Sequence, residues 1–102
     1  MPHVSDHHGL ASSVDKTVIL IGKPADFPRQ HLMGKHMDYP FTAYIELSDA
    51  TQVGVYLKSR IPDKFMVEIT GRVEAIHALV QEGTKAIDTE YQIVADSWRY
   101  CP

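Results

Sequence analysis

The chain has 102 residues, of which 44% are hydrophobic and 23% charged, and its formal net charge is −3. That length is typical of one domain with a single hydrophobic core, and the composition excludes a disordered protein. No stretch approaches the roughly 20 apolar residues that span a bilayer, so we expect no membrane association. The net charge argues against a dedicated nucleic-acid binder, because such domains usually carry a basic surplus.

Two further features indicate where in the cell the protein resides. The N-terminus has neither a basic start nor an apolar run, so it lacks the features of a secretory signal. The single cysteine, Cys101, cannot form an internal disulfide, which suits a reducing compartment. The sequence therefore predicts a cytoplasmic protein.

Residues 1–13 are polar and small without periodicity, and they are predicted to form a flexible N-terminal tail. A single domain, residues 14–102, follows this tail. Its first strand is predicted at 14–21, where a β-branched apolar run ends at Gly22. The next residues, 22–40, contain three prolines, which forbid a long strand. A connection of this length in a small domain indicates a functional segment.

The clearest local pattern is a β-hairpin over residues 41–58. Apolar and polar residues alternate on both sides of a turn at 48–52. Centring the hairpin on Ala50 pairs Tyr44 with Tyr56 and gives one wholly apolar and one mostly polar side. A slip of one residue would destroy both patterns, so the alternation predicts which residues share a face.

The longest alternation, over residues 65–75, is interrupted by Gly71, as expected where a strand bends around a barrel corner. Residues 77–89 are predicted to form a second long connection, and a last strand is predicted at 91–98. Because alternation with a period of two dominates, the predicted fold class is all-β. The predicted architecture is a small five-stranded antiparallel barrel with long connections at 22–40 and 77–89.

This pattern resembles the oligonucleotide/oligosaccharide-binding (OB) fold, as in small domains of the replication-protein-A and anticodon-binding kinds. The matching stretches are DKTVILIG at 15–22, IELSDA at 45–50 and VEITGRV at 67–73. The family binds ligands on the outer face of its second and third strands, between two connections that here correspond to 22–40 and 77–89. One departure is that the sequence ends at Pro102 without the C-terminal assembly helix of the smallest replication-protein-A subunit, so we do not expect it in such a complex.

The resemblance and the residue types together predict a binding surface on the hairpin. The candidate residues there are Tyr44, Tyr56, Lys58 and Arg60, and the first connection adds Lys23, Arg29 and Lys35. Bases stack on aromatic rings while phosphates meet lysine or arginine, so this set is predicted to bind single-stranded nucleic acid. Two alternatives explain the same residues: aromatic pairing that only stabilises the sheet, or contact with a protein partner or a second copy.

Other chemistry has little support in the sequence. Residues 31–37 combine histidine and methionine donors that suit Cu(I), but methionines that pack on the end of the barrel explain them as well. An N-terminal copper site would need an amide N–H at the second residue, which Pro2 lacks. Cys101 is penultimate, and no phosphate loop, nucleophile elbow or zinc spacing occurs. We therefore expect no enzymatic activity, no cofactor and no metal site.

Overall fold

The computed structural model describes residues 1–29, 36–79 and 87–102. Within these residues lie six strands and one short helix. Their bounds are β1 His3–Val4, α1 His7–Ala11, β2 Thr17–Pro24, β3 Phe41–Glu46, β4 Gln52–Leu57, β5 Val67–Leu79 and β6 Ile87–Tyr100. Among the described residues, no helix has the length and apolar character needed to cross a membrane.

Hydrogen bonds between the strands form a ring-like ladder in the order β2–β3–β4–β6–β5, which returns from β5 to β2. The all-β class predicted from the sequence is confirmed. The purely antiparallel arrangement was wrong, because β6 runs parallel to β4 and β1 runs parallel to β2. Five strands in a ring cannot alternate direction at every pairing, since the number is odd, so at least one pair must be parallel.

The hydrophobic core is built from the alternating apolar side chains of β2 to β6. On β5, for example, Val67, Ile69 and Val73 are fully buried, as their alternation with polar residues predicts. The buried cluster consists of Val4, Leu10, Val18, Leu20, Ile45, Leu47, Val53, Val55, Leu57, Val67, Ile69, Val73, Ile93 and Ala95. All five strands of the ring contribute to it, so the cluster ties the ring together.

The central hairpin has the predicted faces but a different register. Tyr44 lies opposite Gly54, and Thr42 lies opposite Tyr56, so each residue is paired two positions away from the prediction. A shift of two residues keeps every side chain on its own face of the strand. The predicted division into apolar and polar sides is therefore confirmed, whereas the cross-strand pairing of Tyr44 with Tyr56 was wrong.

The turn of the hairpin explains this register. Residues 48–50 form a three-residue loop closed by a hydrogen bond of 2.8 Å from the Leu47 N–H to the Thr51 carbonyl. Ala50 has a φ of 67°, the left-handed conformation that ends loops of this kind. Because the loop is shorter than the predicted one, the strands pair closer to the turn.

Residues 1–13 are packed in this structure and do not form the predicted tail. β1 pairs with β2, and both Val4 and Leu10 belong to the buried core cluster. Asp6 caps α1, since its carboxylate accepts the Gly9 N–H at 2.8 Å. Val4 and Leu10 are six positions apart in a mostly polar stretch and follow no period, which is why the sequence pattern gave no sign of this packing.

The Asp49 carboxylate links the N-terminal segment to the hairpin loop. It accepts the His7 N–H at 2.9 Å and the Thr51 N–H at 3.1 Å. The hydrogen bond from His7 has the largest effect on the pKa of Asp49, and the bonds from Thr51 add to it. They lower this pKa below its usual value, because they stabilise the charged carboxylate. The link is therefore fully formed at neutral pH.

The second predicted connection, residues 77–89, was wrong at both of its ends, 77–79 and 87–89. β5 continues to Leu79 and β6 begins at Ile87, and the two strands stay paired to their ends. His77 and Thr89 lie opposite each other, with 2.8 Å between the imidazole Nδ1 and the hydroxyl oxygen. The remaining residues of the predicted connection, 80–86, lie outside the described residues.

Candidate nucleic-acid interface

The predicted binding surface is the side of β3 and β4 that faces away from the core, together with its continuation on β6 and β5. One row of neighbouring residues crosses these strands through Tyr44, Gly54, Gln92 and Glu74. The adjacent row contains Thr42, Tyr56, Val94 and Arg72. Residues between the rows, such as Val55 and Val73, belong to the core, so both rows lie on the opposite side of the sheet. We call this side the outer face.

Tyr56 lies on the outer face, as predicted, but its side chain is not exposed to solvent. The residue is 1% exposed, although it stands outside the hydrophobic core cluster. The imidazole of His36 packs on its ring, with 4.2 Å between the ring centroids and a tilt of 59°. The expectation that this tyrosine projects into solvent was therefore wrong, and the His36 ring from the first long connection is one of the contacts on it.

His36 belongs to a turn, residues 36–39, which we call the capping turn. The Tyr39 N–H donates to the His36 carbonyl at 2.9 Å and closes the turn. The Lys58 ammonium group lies over the Tyr39 ring, 5.3 Å from its centroid. His36 Nε2 also lies 3.8 Å from a carboxylate oxygen of Glu74, an ion pair when the imidazole is protonated. The capping turn therefore contacts both β4 and β5.

Arg29, predicted as a phosphate contact, is hydrogen bonded to the hairpin in the structure. Its backbone N–H donates to the Gln52 side chain at 2.8 Å, and its guanidinium donates to a carbonyl of the hairpin loop at 3.1 Å. These bonds fasten the start of the first connection to the hairpin. The other predicted cations are distributed as follows: Lys23 is half-buried on β2, Arg60 is exposed after β4, and Lys35 lies outside the described residues.

Of the predicted site residues, the structure gathers Tyr44 on β3, Tyr56 on β4 and Lys58 directly after β4. Tyr44 is half-buried, and it lies diagonally across the strands from Tyr56 rather than directly opposite. Diagonal neighbours on a sheet are about 7–8 Å apart, which is within reach of aromatic side chains. The two tyrosines therefore share the outer face but differ in their accessibility.

Tyr39 was missed by sequence reasoning, and His36 was considered as one of the metal donors within residues 31–37. Neither residue belongs to an alternating stretch, so periodicity carries no information about them. One available signal was that an aromatic residue precedes Pro40 at the point where the first connection enters the hairpin.

Acidic groups limit how strongly the outer face attracts phosphate. Glu74 lies in the same row as Tyr44, and Glu46 lies two residues beyond Tyr44 on β3. Lys58 is exposed but is engaged by a cation–π contact, which contributes about 0.5–1 kcal/mol at an exposed site. The face therefore offers aromatic surface with little net positive charge.

The described residues include no group of three or more histidine, cysteine or acidic side chains that could hold a metal ion. Most of the histidine- and methionine-containing stretch, residues 31–35, lies outside the described residues. Met37 is 99% exposed, so the alternative in which this methionine packs on the barrel was wrong. The reason is that the capping turn uses His36 and Tyr39 for its contacts instead.

The chain is similar to a solved structure of replication protein A. The match is to a chain of U. maydis replication protein A bound to single-stranded DNA, with a TM-score of 0.54 and 20% sequence identity. It covers 100% of this chain and 73% of that chain. No protein-family model and no curated protein matches the sequence. The likeness shows that this chain shares the fold of that replication-protein-A chain, in agreement with the OB-fold resemblance of its sequence pattern.

Proposed function

We propose that this protein is a non-catalytic, cytoplasmic binding module for single-stranded nucleic acid, with weak affinity and little sequence preference. The observation that carries the proposal is the gathering of Tyr39, Tyr44, Tyr56 and Lys58 around β3 and β4. Rings stack with any base, and an ammonium group attracts the phosphate that links two bases. The solved OB-fold chain that this protein resembles is bound to single-stranded DNA, which supports the same ligand class.

We further propose that the ring of strands is a five-stranded barrel, with β1 as an addition at its edge. The pairing of β5 with β2, together with a core cluster that all five strands share, supports a closed barrel. In this arrangement β3 and β4 correspond to the second and third strands of the OB fold, the usual ligand-binding strands. The capping turn then lies within the connection that borders the binding face.

The salt dependence of binding tests the electrostatic part of the proposal. Affinity for a labelled oligothymidine is expected to fall as salt is raised, because each phosphate contact releases counterions and adds about −0.7 to the slope of log K against log salt. Lys58→Ala is expected to weaken binding and reduce the slope by about one such contact. Lys16→Ala removes an equally exposed lysine next to β2, and it should leave the slope unchanged.

The stacking part is tested in the same titration. Tyr44→Ala is expected to cost about 1–3 kcal/mol, the value of one stacked base. Tyr100→Ala is the matched control, because Tyr100 lies eight residues beyond Gln92 on β6. No measurable binding at low salt, or equal losses in a variant and its control, would contradict the proposal.

A specific observation also favours the alternative function, association with a protein or a second copy. Phe65 is 67% exposed and Tyr100 is 42% exposed, and their rings are 6.3 Å apart in an edge-to-face arrangement. Trp98 packs against Tyr100 at 5.2 Å. Beside this cluster, Arg99 is paired with Glu68 at 2.8 Å, and the Asp63 carboxylate accepts the Tyr100 hydroxyl at 2.9 Å. An exposed apolar cluster whose neighbouring cation is already paired suits a protein surface better than a nucleic acid.

The alternative predicts a dimer that persists at high salt, because apolar contacts are not screened. Phe65→Ser should shift sedimentation at high protein concentration toward the monomer. Phe27→Ser is the matched control, since Phe27 is 87% exposed and lies outside this cluster. A monomer at every concentration, with or without salt, would rule out self-association.

A further inference from the structure

Tyr56 on β4 and Lys58 just after it, both predicted to contact nucleic acid, are engaged by the same short segment. The capping turn places the imidazole of His36 on the ring of Tyr56, with 4.2 Å between centroids. Three residues later, the ring of Tyr39 lies beneath the Lys58 ammonium group. A base that stacked on Tyr56 would need the space that His36 fills. A phosphate that paired with Lys58 would compete with the Tyr39 ring.

The contact is anchored on both sides of Tyr56. On one side, the Tyr39–Lys58 contact holds the turn at the end of β4. On the other, His36 Nε2 lies 3.8 Å from Glu74 on β5, with both side chains about one-third exposed (33% and 35%). The burial of Tyr56 to 1% exposure agrees with a turn held at both ends. Met37 at the top of the turn is 99% exposed and contributes nothing to this packing.

We infer that the capping turn is an autoinhibitory contact, in which His36 occupies the stacking position on Tyr56 that a nucleic-acid base takes when it binds. This inference rests on the proposed function and adds the regulation of its site. Binding then requires the His36 ring to leave Tyr56. The free energy lost with that contact makes the free energy of nucleic-acid binding less favourable. A weak apparent affinity of the intact protein follows from the contact itself.

The test compares His36→Ala with Met37→Ala, two truncations of neighbouring residues in the same turn. Hydroxyl-radical footprinting with mass spectrometry measures the accessibility of Tyr56 without any ligand. We expect Tyr56 to be protected in the wild type and in Met37→Ala, and to become reactive in His36→Ala. In oligothymidine titrations at low salt, His36→Ala should bind about two- to tenfold more tightly, the factor that one aromatic contact represents.

A second pair of variants loosens the turn without removing a ring. Glu74→Gln removes the partner of His36, whereas Glu46→Gln removes an equal charge from β3 on the same side of the sheet. Both should relieve repulsion of phosphate, but only Glu74→Gln should also expose Tyr56 to radicals. Tighter binding in Glu74→Gln than in Glu46→Gln supports the inference.

Three results overturn the inference, and they are distinguishable from one another. A Tyr56 that is already reactive in the wild type shows that the turn does not cover the ring. A Tyr56 that becomes reactive in His36→Ala with unchanged or weaker oligothymidine binding shows that the position is not used, while salt-dependent binding by the wild type still supports the proposed function. No binding by either protein removes the proposed function, and the inference with it.

Discussion

Leu10→Ala is expected to lower the free energy of unfolding by about 2–5 kcal/mol, the usual cost of truncating a buried leucine. Leu10 is fully buried and belongs to the core cluster. It is also the buried residue of α1, a helix of five residues that is too short to be stable in water without packing. Its truncation therefore opens a cavity and removes one of the two side chains, with Val4, that bury the N-terminal segment in the core.

Chemical denaturation of the purified protein measures this effect, and His8→Ala is the matched control. His8 is exposed on the same helix, so its truncation should change the stability by no more than about 0.5 kcal/mol. If the two variants were equally stable, Leu10 would not be part of the core in solution. Residues 1–13 would then be the flexible tail that their composition predicts.

The hairpin shows which structural features a sequence determines locally. Alternation of apolar and polar residues has a period of two, so it identifies the face of each side chain but not its partner across the strand. The faces of Tyr44 and Tyr56 followed from the pattern, whereas their pairing depended on the loop. Ala50 adopts a left-handed conformation that alanine rarely takes, and neither its identity nor its neighbours indicate this. The register was therefore wrong by two residues although both faces were right.

The candidate site shows a second limit, which concerns packing between distant segments. The alternation places Tyr56 on the polar side of β4, but its exposure depends on His36, which is twenty positions earlier in the chain. Likewise, Val4 and Leu10 reach the core from a stretch with too few apolar residues to show a period. In both cases, the missing information is the path of the chain outside the strands. Local periodicity cannot supply it, because such segments follow no repeat.

Gly71 is the clearest case in which a single residue predicted a structural feature, an irregularity in the pairing of a strand. The pairing of β5 with β6 shifts between Thr70 and Gly71, so β6 contains one extra residue, Asp96, at this point. This is a β-bulge, a feature that bends a strand and increases its twist. The sequence predicted an interruption here because glycine in the middle of a strand often marks such a site.

Gly71→Ala is expected to destabilise the protein by about 3 kcal/mol, the upper part of the usual range for overpacking. A methyl group at this position would lie 2.5 Å from the Val94 carbonyl oxygen and 2.9 Å from the Ala95 Cα. These are backbone atoms, so no side-chain rotation relieves the overlap and β6 itself must shift. Val94 also lies opposite Tyr56 on the outer face, so the shift should reach the candidate site.

Thr70→Ala provides the control, because it alters the adjacent residue of β5 without adding an atom to the bulge. Its cost should stay below about 1 kcal/mol, the span of strand propensities. Radical footprinting of Tyr56 in Gly71→Ala, at a denaturant concentration where the protein stays folded, should report increased reactivity. If Gly71→Ala were as stable as Thr70→Ala, the close approach of β5 and β6 at the bulge would not exist in solution. The ring of strands would then join in a different register, and the rows of the outer face would have different members.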